Sequence, residues 1–381
     1  VTTWNYPIQA GSGTITIRSE SASGTIVDQF VVGSSSSITI SERTLTLNPA
    51  ITLSAGVEYF VNYPEGAVKS TSGQKENDQL IYSFTTKPIT LWGWGNGGTG
   101  NLGQNTAWPS GGYYSSPVQI PGTTWDVPTG TTMGVANAFL KTDGTLWSMG
   151  NNNCGQLGQN QGPSSHLSSP TQVGTDTTWA MVNGTQYAMF ATKTDGTLWA
   201  WGRNNIGHLG LNSTGNPSND GISSPTQVGT DTTWNKVFGS NGSEAGGARA
   251  MKTDGTSWSW GYNSWGQLGL NQGYSPSTKG FSSPVQLPGT WSKFTGGGAV
   301  LQGIKTDGTL WTCGFGGYGT LGQNDRTNRS SPVQIPGTWS DAVGSGSNYV
   351  AFGVKTDGTL WSWGYNTYGA LGLNEAPSAK R

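Results

Sequence analysis

Apolar and polar residues alternate over short runs along the whole chain, and no stretch carries the 3.6-residue period of an amphipathic helix. Between Gly13 and Phe84 the alternation picks out Thr14–Ile17, Ile26–Val32, Leu45–Leu47, Val57–Tyr63 and Ile81–Phe84 as strands. Turn-forming stretches separate them, namely Gly33–Ser37, Asn48-Pro49 and Pro64-Glu65-Gly66. Short strands with one apolar face each predict a small β-sandwich. A short, Pro-stiffened linker, Lys87-Pro88-Ile89-Thr90, then leads into a different rhythm, so the expected domains are 1–87 and 88–381.

In the second region the pattern repeats. A Trp that follows Leu, or Ser in one copy, falls at Trp92, Trp147, Trp199, Trp258, Trp311 and Trp361, with separations of 55, 52, 59, 53 and 50 residues. After it comes Gly-x-x-x-x-Gly-x-Leu-Gly, as in Gly261–Gly269. Ser-Ser-Pro follows, starting at Ser115, Ser168, Ser223, Ser282 and Ser330. A lone Trp opens the next strand at Trp125, Trp179, Trp234, Trp291 and Trp339, and Lys-Thr-Asp-Gly-Thr begins at Lys141, Lys193, Lys252, Lys305 and Lys355. An Asp-Gly pair between β-favouring residues is a hairpin signal, because Gly tolerates positive φ and Asp bonds its own backbone. A period near 50 holding several such cues predicts propeller blades, with the repeated Trp as filler between neighbouring sheets. Six Trp-Gly strands set against five Ser-Ser-Pro and five Asp-Gly cues leave the first and last repeats incomplete. Six blades are expected, within bounds of five and seven, and Ile81–Lys87 serves either the sandwich or the first blade.

Two resemblances attach to these residues. Ile8–Ile17, Leu45–Pro49, Tyr59-Phe60-Val61, Glu65–Val68 and Tyr82–Thr86 resemble the bacterial Ig-like module of S-layer and other surface proteins. In that family a further strand and turn precede the Gly-Ser-Gly-Thr turn. The resemblance therefore implies a module lacking its first strand, completed by residues upstream of Val1 or by another chain, since an open sheet edge is normally covered. The repeats resemble those of the regulator of chromosome condensation family, whose blades read Trp-Gly-x-Asn-x-x-Gly-Gln-Leu-Gly before a Pro strand and an Asp-Gly hairpin; here the likeness runs from Leu91 to Asn374. The expected fold is thus all-β, an Ig-like sandwich followed by a propeller.

Charge narrows the choice of partners. Charged residues make up 10% of the chain and the net charge is -1, so no electrostatic footprint for nucleic acid is present. The 19 Lys and Arg likewise supply no basic docking face of the kind an intracellular exchange-factor propeller would use. No apolar run approaches the roughly 18 residues of a membrane span, so membrane insertion is not expected.

Candidate chemistry is sparse. His166 and His208 are the two histidines and sit in different repeats. Asp143, Asp195, Asp254, Asp307 and Asp357 each precede Gly in a hairpin cue, which explains them as turn residues. Cys154 and Cys313 show no metal-ligand spacing and replace aromatic or aliphatic packing residues of other copies. Gly93–Gly98 and Gly314–Gly319 fit G-x-G-x-x-G but lie outside any βαβ unit. No catalytic, cofactor-binding or metal-binding residue is expected, and the chain is read as a non-enzyme.

The variable positions are more informative. After the Trp-Gly strand they read Asn96/Thr99, Asn151/Cys154 and Arg203/Ile206, then Tyr262/Trp265, Phe315/Tyr318 and Tyr365/Tyr368. These aromatics either pack between blades or form a stacking face for carbohydrate or protein. Loops of unequal length before Ser-Ser-Pro add Trp108, Tyr113, Tyr114, Tyr274 and Phe281 as binding candidates. The expected role is an extracellular structural or adhesion protein, on a bacteriophage virion or fibre or on a bacterial cell surface. Its partners would be a host-surface glycan or protein and other copies or components of the same assembly. A secreted or cell-envelope adhesin and an intracellular interaction propeller are the alternatives.

Overall fold

A computed structural model describes residues 1–381 except 52, 55, 74–76, 88, 107–111, 127–134, 215–220, 240–246, 273–279, 345–348 and 375–381. It is all-β and forms two compact units, Val1–Leu91 with Gly122–Asp126, and Trp92–Pro121 with Val127–Arg381.

In the first unit, Ile26–Val31, Thr14–Ser19, Glu58–Tyr63 and Leu80–Thr85 form an antiparallel sheet in that order. Thr2–Thr3, Thr44–Leu47 and Ile38–Ser41 form a second sheet, and Ile8–Ala10 pairs with Val68–Ser70. Alternate residues of these strands, including Ile8, Ile15, Ile17, Phe30, Leu45, Tyr59, Val61, Tyr63 and Val68, share one buried core. The apolar positions of the alternating pattern thus meet in one core. Leu80–Thr85 pairs with Glu58–Tyr63 from Glu58↔Thr85 to Tyr63↔Leu80, so this strand belongs to the sheet of the first unit. Thr2–Thr3 and Ile8–Ala10 precede the Gly11–Gly13 turn; at two and three residues they are too short to show a period.

The second unit holds six sheets among the described residues. The first has two strands, Trp92–Asn96 and Tyr113–Gln119, and the second has three, Ala136–Leu140, Leu146–Gly150 and Leu167–Gln172. The third is complete with Trp179–Gly184, Ala188–Lys193, Leu198–Gly202 and Ile222–Gln227. The fourth consists of Trp234–Gly239, Gly247–Lys252, Ser257–Tyr262 and Gly280–Leu287. Trp291–Thr295, Val300–Lys305, Leu310–Gly314 and Arg329–Ile335 make the fifth. The sixth has Trp339–Gly344, Val350–Lys355 and Leu360–Gly364. Each complete sheet is a meander in which the lone-Trp strand comes first, the Leu-Trp strand third and the Ser-Ser-Pro strand fourth.

The Lys-Thr-Asp-Gly-Thr-Leu-Trp motif is one structural device. In the third blade, Asp195 Oδ1 accepts from the Thr197 amide at 2.9 Å and hydroxyl at 2.7 Å. Thr197 Oγ1 in turn accepts from Trp199 Nε1 at 2.8 Å, and Lys193 Nζ lies 3.8 Å from the centre of a Trp199 ring. Gly196 has φ 78°, and a Cβ there would lie 1.9 Å from the Thr232 carbonyl, so only Gly fits. The same relay recurs at Asp143, Asp254, Asp307 and Asp357. Asp195, Asp254, Asp307 and Asp357 are held below the usual carboxylate range first of all by the Thr hydroxyl.

Neighbouring blades are joined by a contact the sequence does not announce. Asn105, Asn160, Asn212 and Asn271, just past Leu-Gly, adopt left-handed φ of 54–55°. Their amides donate to the carbonyls of Ser168, Ser223, Ser282 and Ser330 in the next blade, at 2.7–2.9 Å. Their Oδ1 atoms accept the hydroxyls of Ser169, Ser224, Ser283 and Ser331 at 2.8–3.4 Å. In these four copies the two Ser of Ser-Ser-Pro are therefore interblade clasps. Ring contacts add to them, with Phe190 against Trp260 at 5.8 Å and Phe238 against Phe294 at 5.7 Å.

The first and last blades differ from the others. Trp94 is 63% exposed where Trp201 and Trp260 are fully buried, and Leu360 is 69% exposed where Leu198 and Leu310 are fully buried.

Candidate binding face

Consecutive strands of a meander turn alternately at opposite ends. The Asp-Gly hairpins, which join second to third strands, therefore occupy one edge of each blade. The connections from first to second and from third to fourth strand share the other. Six rings on this second edge form a continuous belt over the fourth, fifth and sixth blades: Tyr262, Trp265, Phe315, Tyr318, Tyr349 and Tyr365.

The sequence places the Tyr262, Phe315 and Tyr365 rings just after the Trp-Gly strand, where a positive-φ Gly starts the turn, as at Gly261, Gly314 and Gly364. Trp265 and Tyr318 lie three residues further on. Centroid distances along the belt are 5.6 Å for Tyr262–Trp265, 5.8 Å for Trp265–Phe315, 5.6 Å for Phe315–Tyr318 and 4.8 Å for Tyr318–Tyr365. Tyr349 packs on Phe315 at 5.3 Å and on Tyr318 at 5.1 Å. Each of these six rings is partly buried and partly open to solvent. The rings thus pack on one another across blades, and each residue keeps part of its surface in solvent.

Tyr349 escapes a reading based on the loop after the Trp strand, because it opens the second strand of the sixth blade. The available signal is Tyr187, its counterpart in the third blade, which lies under the Arg203 guanidinium at 5.3 Å. Tyr349 holds a φ of 53°, unusual for a bulky residue, and its carbonyl accepts the Tyr365 amide at 3.0 Å. The turn is thereby fixed from both sides.

Tyr368 is 87% exposed and Tyr113 80% exposed, and no ring contact ties either to the belt among the described residues. Tyr114 and Phe281 are half-buried in the fourth strands of their blades. Trp108 and Tyr274 lie outside the described residues.

Beside the belt lies a cleft of about 10 Å³ lined by residues including Gln302, Thr320, Tyr349 and Val350. This holds about one water. A small molecule does not fit in that cleft.

The titratable residues have local duties. His166 Nδ1 accepts the Asn152 amide at 3.0 Å, and His208 is buried at the position where Gln156 and Gln267 brace the turn by accepting the Cys154 and Trp265 amides. Arg249 and Cys313 stand where the third and fourth blades have Phe190 and Trp260. The smaller thiol makes room for the guanidinium, which donates to the Gln267 carbonyl at 2.8 Å. Burial lowers the Arg249 pKa to about 10 and pushes the Cys313 thiol up to about 12. Among the described residues no group of three His, Cys, Asp or Glu is placed to hold a metal.

Comparison with known proteins agrees with this geometry. A profile of the regulator of chromosome condensation (RCC1) repeat matches residues 195–241 and 307–352. The human E3 ubiquitin-protein ligase HERC2 is 28% identical over 192 residues, 48% of this chain and 4% of that protein, so the chain spans a small part of this relative. Yeast RCC1 (Prp20), in its crystal structure with Kap60, superposes with a TM-score of 0.64 at 14% identity over 99% of this chain and 84% of that one. Human WBSCR16 superposes with a TM-score of 0.52 at 18% identity, covering 90% of this chain and 85% of that one. The fold is that of an RCC1-repeat β-propeller, with RCC1-type repeats matched at residues 195–241 and 307–352. The Ig-like reading of the first unit draws no support from these matches and belongs to the proposal below.

Proposed function

We propose that the protein is a non-enzymatic, extracellular binding protein of a bacteriophage virion or fibre, in which an Ig-like module carries a propeller that holds a host-surface glycan or protein. One observation supports this reading: six aromatic rings run unbroken across three blades, and each of the six residues is partly exposed. Rigid amphipathic rings give large contact area at little entropic cost, and a flat apolar face suits the C–H face of a sugar or an apolar protein patch. The weak overall charge points the same way, since recognition must then rest on stacking and hydrogen bonds. In a virion the first unit would join neighbouring components of the assembly.

The test is binding of the purified chain to arrayed bacterial surface glycans and to intact cells, beside a triple Trp265→Ala, Tyr318→Ala, Tyr365→Ala variant checked for retained β-structure. The proposal expects binding by the parent and its loss in the variant. Equal binding by both would remove the belt from the account.

A further inference from the structure

On the Asp-Gly edge, opposite the belt, the third to sixth blades each set a lysine against the indoles of their first and third strands. In the third blade that lysine is neutralised from within the chain. Asp176 Oδ2 lies 2.6 Å from Lys193 Nζ, while Asp176 Oδ1 accepts the Thr178 amide at 2.8 Å and hydroxyl at 2.6 Å. The fourth blade repeats the arrangement with Lys252, Asp231 and Thr233. A carboxylate thus sits in a cradle of one ammonium, one amide and one hydroxyl.

The fifth and sixth blades keep the cradle without the carboxylate. Where the third blade reads Val173-Gly174-Thr175-Asp176-Thr177-Thr178-Trp179, they read Leu287-Pro288-Gly289-Thr290-Trp291 and Ile335-Pro336-Gly337-Thr338-Trp339, which contain no Asp. The backbone register survives: the Thr290 carbonyl accepts the Thr306 amide at 3.3 Å and the Thr338 carbonyl that of Thr356 at 3.2 Å, as Thr178 accepts that of Thr194 at 2.8 Å. Lys305 Nζ lies 3.7 Å from a Trp311 ring centre, and Lys355 Nζ 3.9 Å from one of Trp361. Among the described residues neither ammonium has an ion-pair partner, and neither the Thr290 nor the Thr338 amide has an acceptor. The hydroxyls of Thr290 and Thr306 share one hydrogen bond at 3.0 Å, and those of Thr338 and Thr356 share one at 2.9 Å, so each pair has a second O–H left to donate. Asp307 and Asp357 give their Oδ1 atoms to Thr309 and Thr359 and form no ion pair with the lysines. Gly289 and Gly337 leave the approach bare, since a Cβ at either would stand 3.5 Å from the lysine Nζ.

We propose that Lys305 with Thr290, and Lys355 with Thr338, form two sites for the carboxylates of an acidic polysaccharide, each carboxylate lying where Asp176 and Asp231 lie in the third and fourth blades. Hydrogen bonds between ammonium and carboxylate are of the strong, charge-assisted kind, and two sites engaged by one chain bind more tightly than either alone. One free cation per blade suits carboxylates carried one to a sugar. The choice of a sugar acid rests on the glycan-binding reading above, whereas the carboxylate chemistry is read from the chain's own Asp176 and Asp231.

The probe is fluorescein-labelled oligogalacturonate, titrated with the full chain at low salt and read by anisotropy. Saturable binding is expected, weakened about tenfold by Lys305→Met, which keeps the stem against the indoles and removes the charged hydrogen bond. The methyl-esterified probe should not bind. In a second variant the Gly-Thr-Asp-Thr-Thr of Gly174–Thr178 replaces both Pro288-Gly289-Thr290 and Pro336-Gly337-Thr338, which refills each cradle from within; it should fold as the third blade does and lose binding. The Trp265→Ala, Tyr318→Ala, Tyr365→Ala variant should keep it, because the belt lies on the other edge. Absence of saturable binding, equal affinity for the esterified probe, or unchanged binding in the folded loop variant would overturn the proposal. Tighter binding of oligoglutamate of equal charge would overturn the choice of a sugar acid. Loss in the belt variant alone would overturn these sites and leave the belt as the glycan face.

Discussion

The hydroxyl of Ser224 donates to Oδ1 of Asn160 at 3.2 Å across 64 residues of sequence, tying the fourth strand of the third blade to the turn of the second. Because Asn160 also holds φ 54°, it does two things that neither Ala nor Gly retains together. Ser224→Ala removes one partly exposed hydrogen bond and should lower stability by about 1 kcal/mol. Asn160→Ala loses that bond and adds the left-handed backbone penalty, for a total of about 2 kcal/mol. Asn160→Gly should fall between the two. Urea midpoints for the three variants, compared at constant slope, check the order.

At the interface of the fourth and fifth blades, Arg249 and Cys313 replace an aromatic pair. Cys313→Trp alone forces an indole onto the guanidinium and should destabilise by about 1–3 kcal/mol. Adding Arg249→Phe rebuilds the Phe190–Trp260 arrangement and should recover most of that loss. A double-mutant cycle in denaturant measures the coupling, and additive losses would show that the two sites are independent. In the native chain the raised Cys313 pKa and its burial predict no reaction with a thiol reagent until the protein unfolds.

Acid should weaken two further joints. Asp176 is held down to about 2, first by the Lys193 ammonium at 2.6 Å and then by the Thr178 hydroxyl; Lys252 and Thr233 hold Asp231 down to about 2 in the same way. A folded pKa below the unfolded value gives stability that is fully present above about pH 4 and is lost as pH falls toward 2. With about a third of each Asp side chain exposed, solvent screening keeps the contribution to about 1 kcal/mol or less per pair. The Asp176→Asn, Asp231→Asn protein should therefore lose less stability between pH 5 and pH 2 than the parent. Parallel thermal-melt profiles over that range would contradict the assignment.

Much of this architecture is legible in the chain. Asp-Gly, Trp-Gly and Ser-Ser-Pro recur at fixed offsets, and each governs a local turn or strand, so the blades and their order follow from the sequence. The clasp does not, because Asn160 and Ser224 belong to different repeats and meet only when the blades stack. Tyr349 was hidden for a similar reason, lying far from Phe315 in sequence and reaching it only across a blade boundary. The aromatic positions Tyr262, Trp265, Phe315, Tyr318 and Tyr365 are visible as a pattern, but their joining into one belt is a matter of ring geometry. In the first unit the short strands Ile38–Ser41 and Val68–Ser70 gave too few alternations to be seen.

The central claim is that the belt is a binding face, and the most direct measurement is the affinity of single variants for whichever surface glycan the parent binds. Trp265→Ala and Tyr318→Ala should each weaken binding at least tenfold, as the loss of a stacked ring in a contact centre does. Trp94→Ala, an exposed Trp outside the belt, should leave it unchanged. Affinities equal to the parent's in folded Trp265→Ala and Tyr318→Ala proteins would contradict the account.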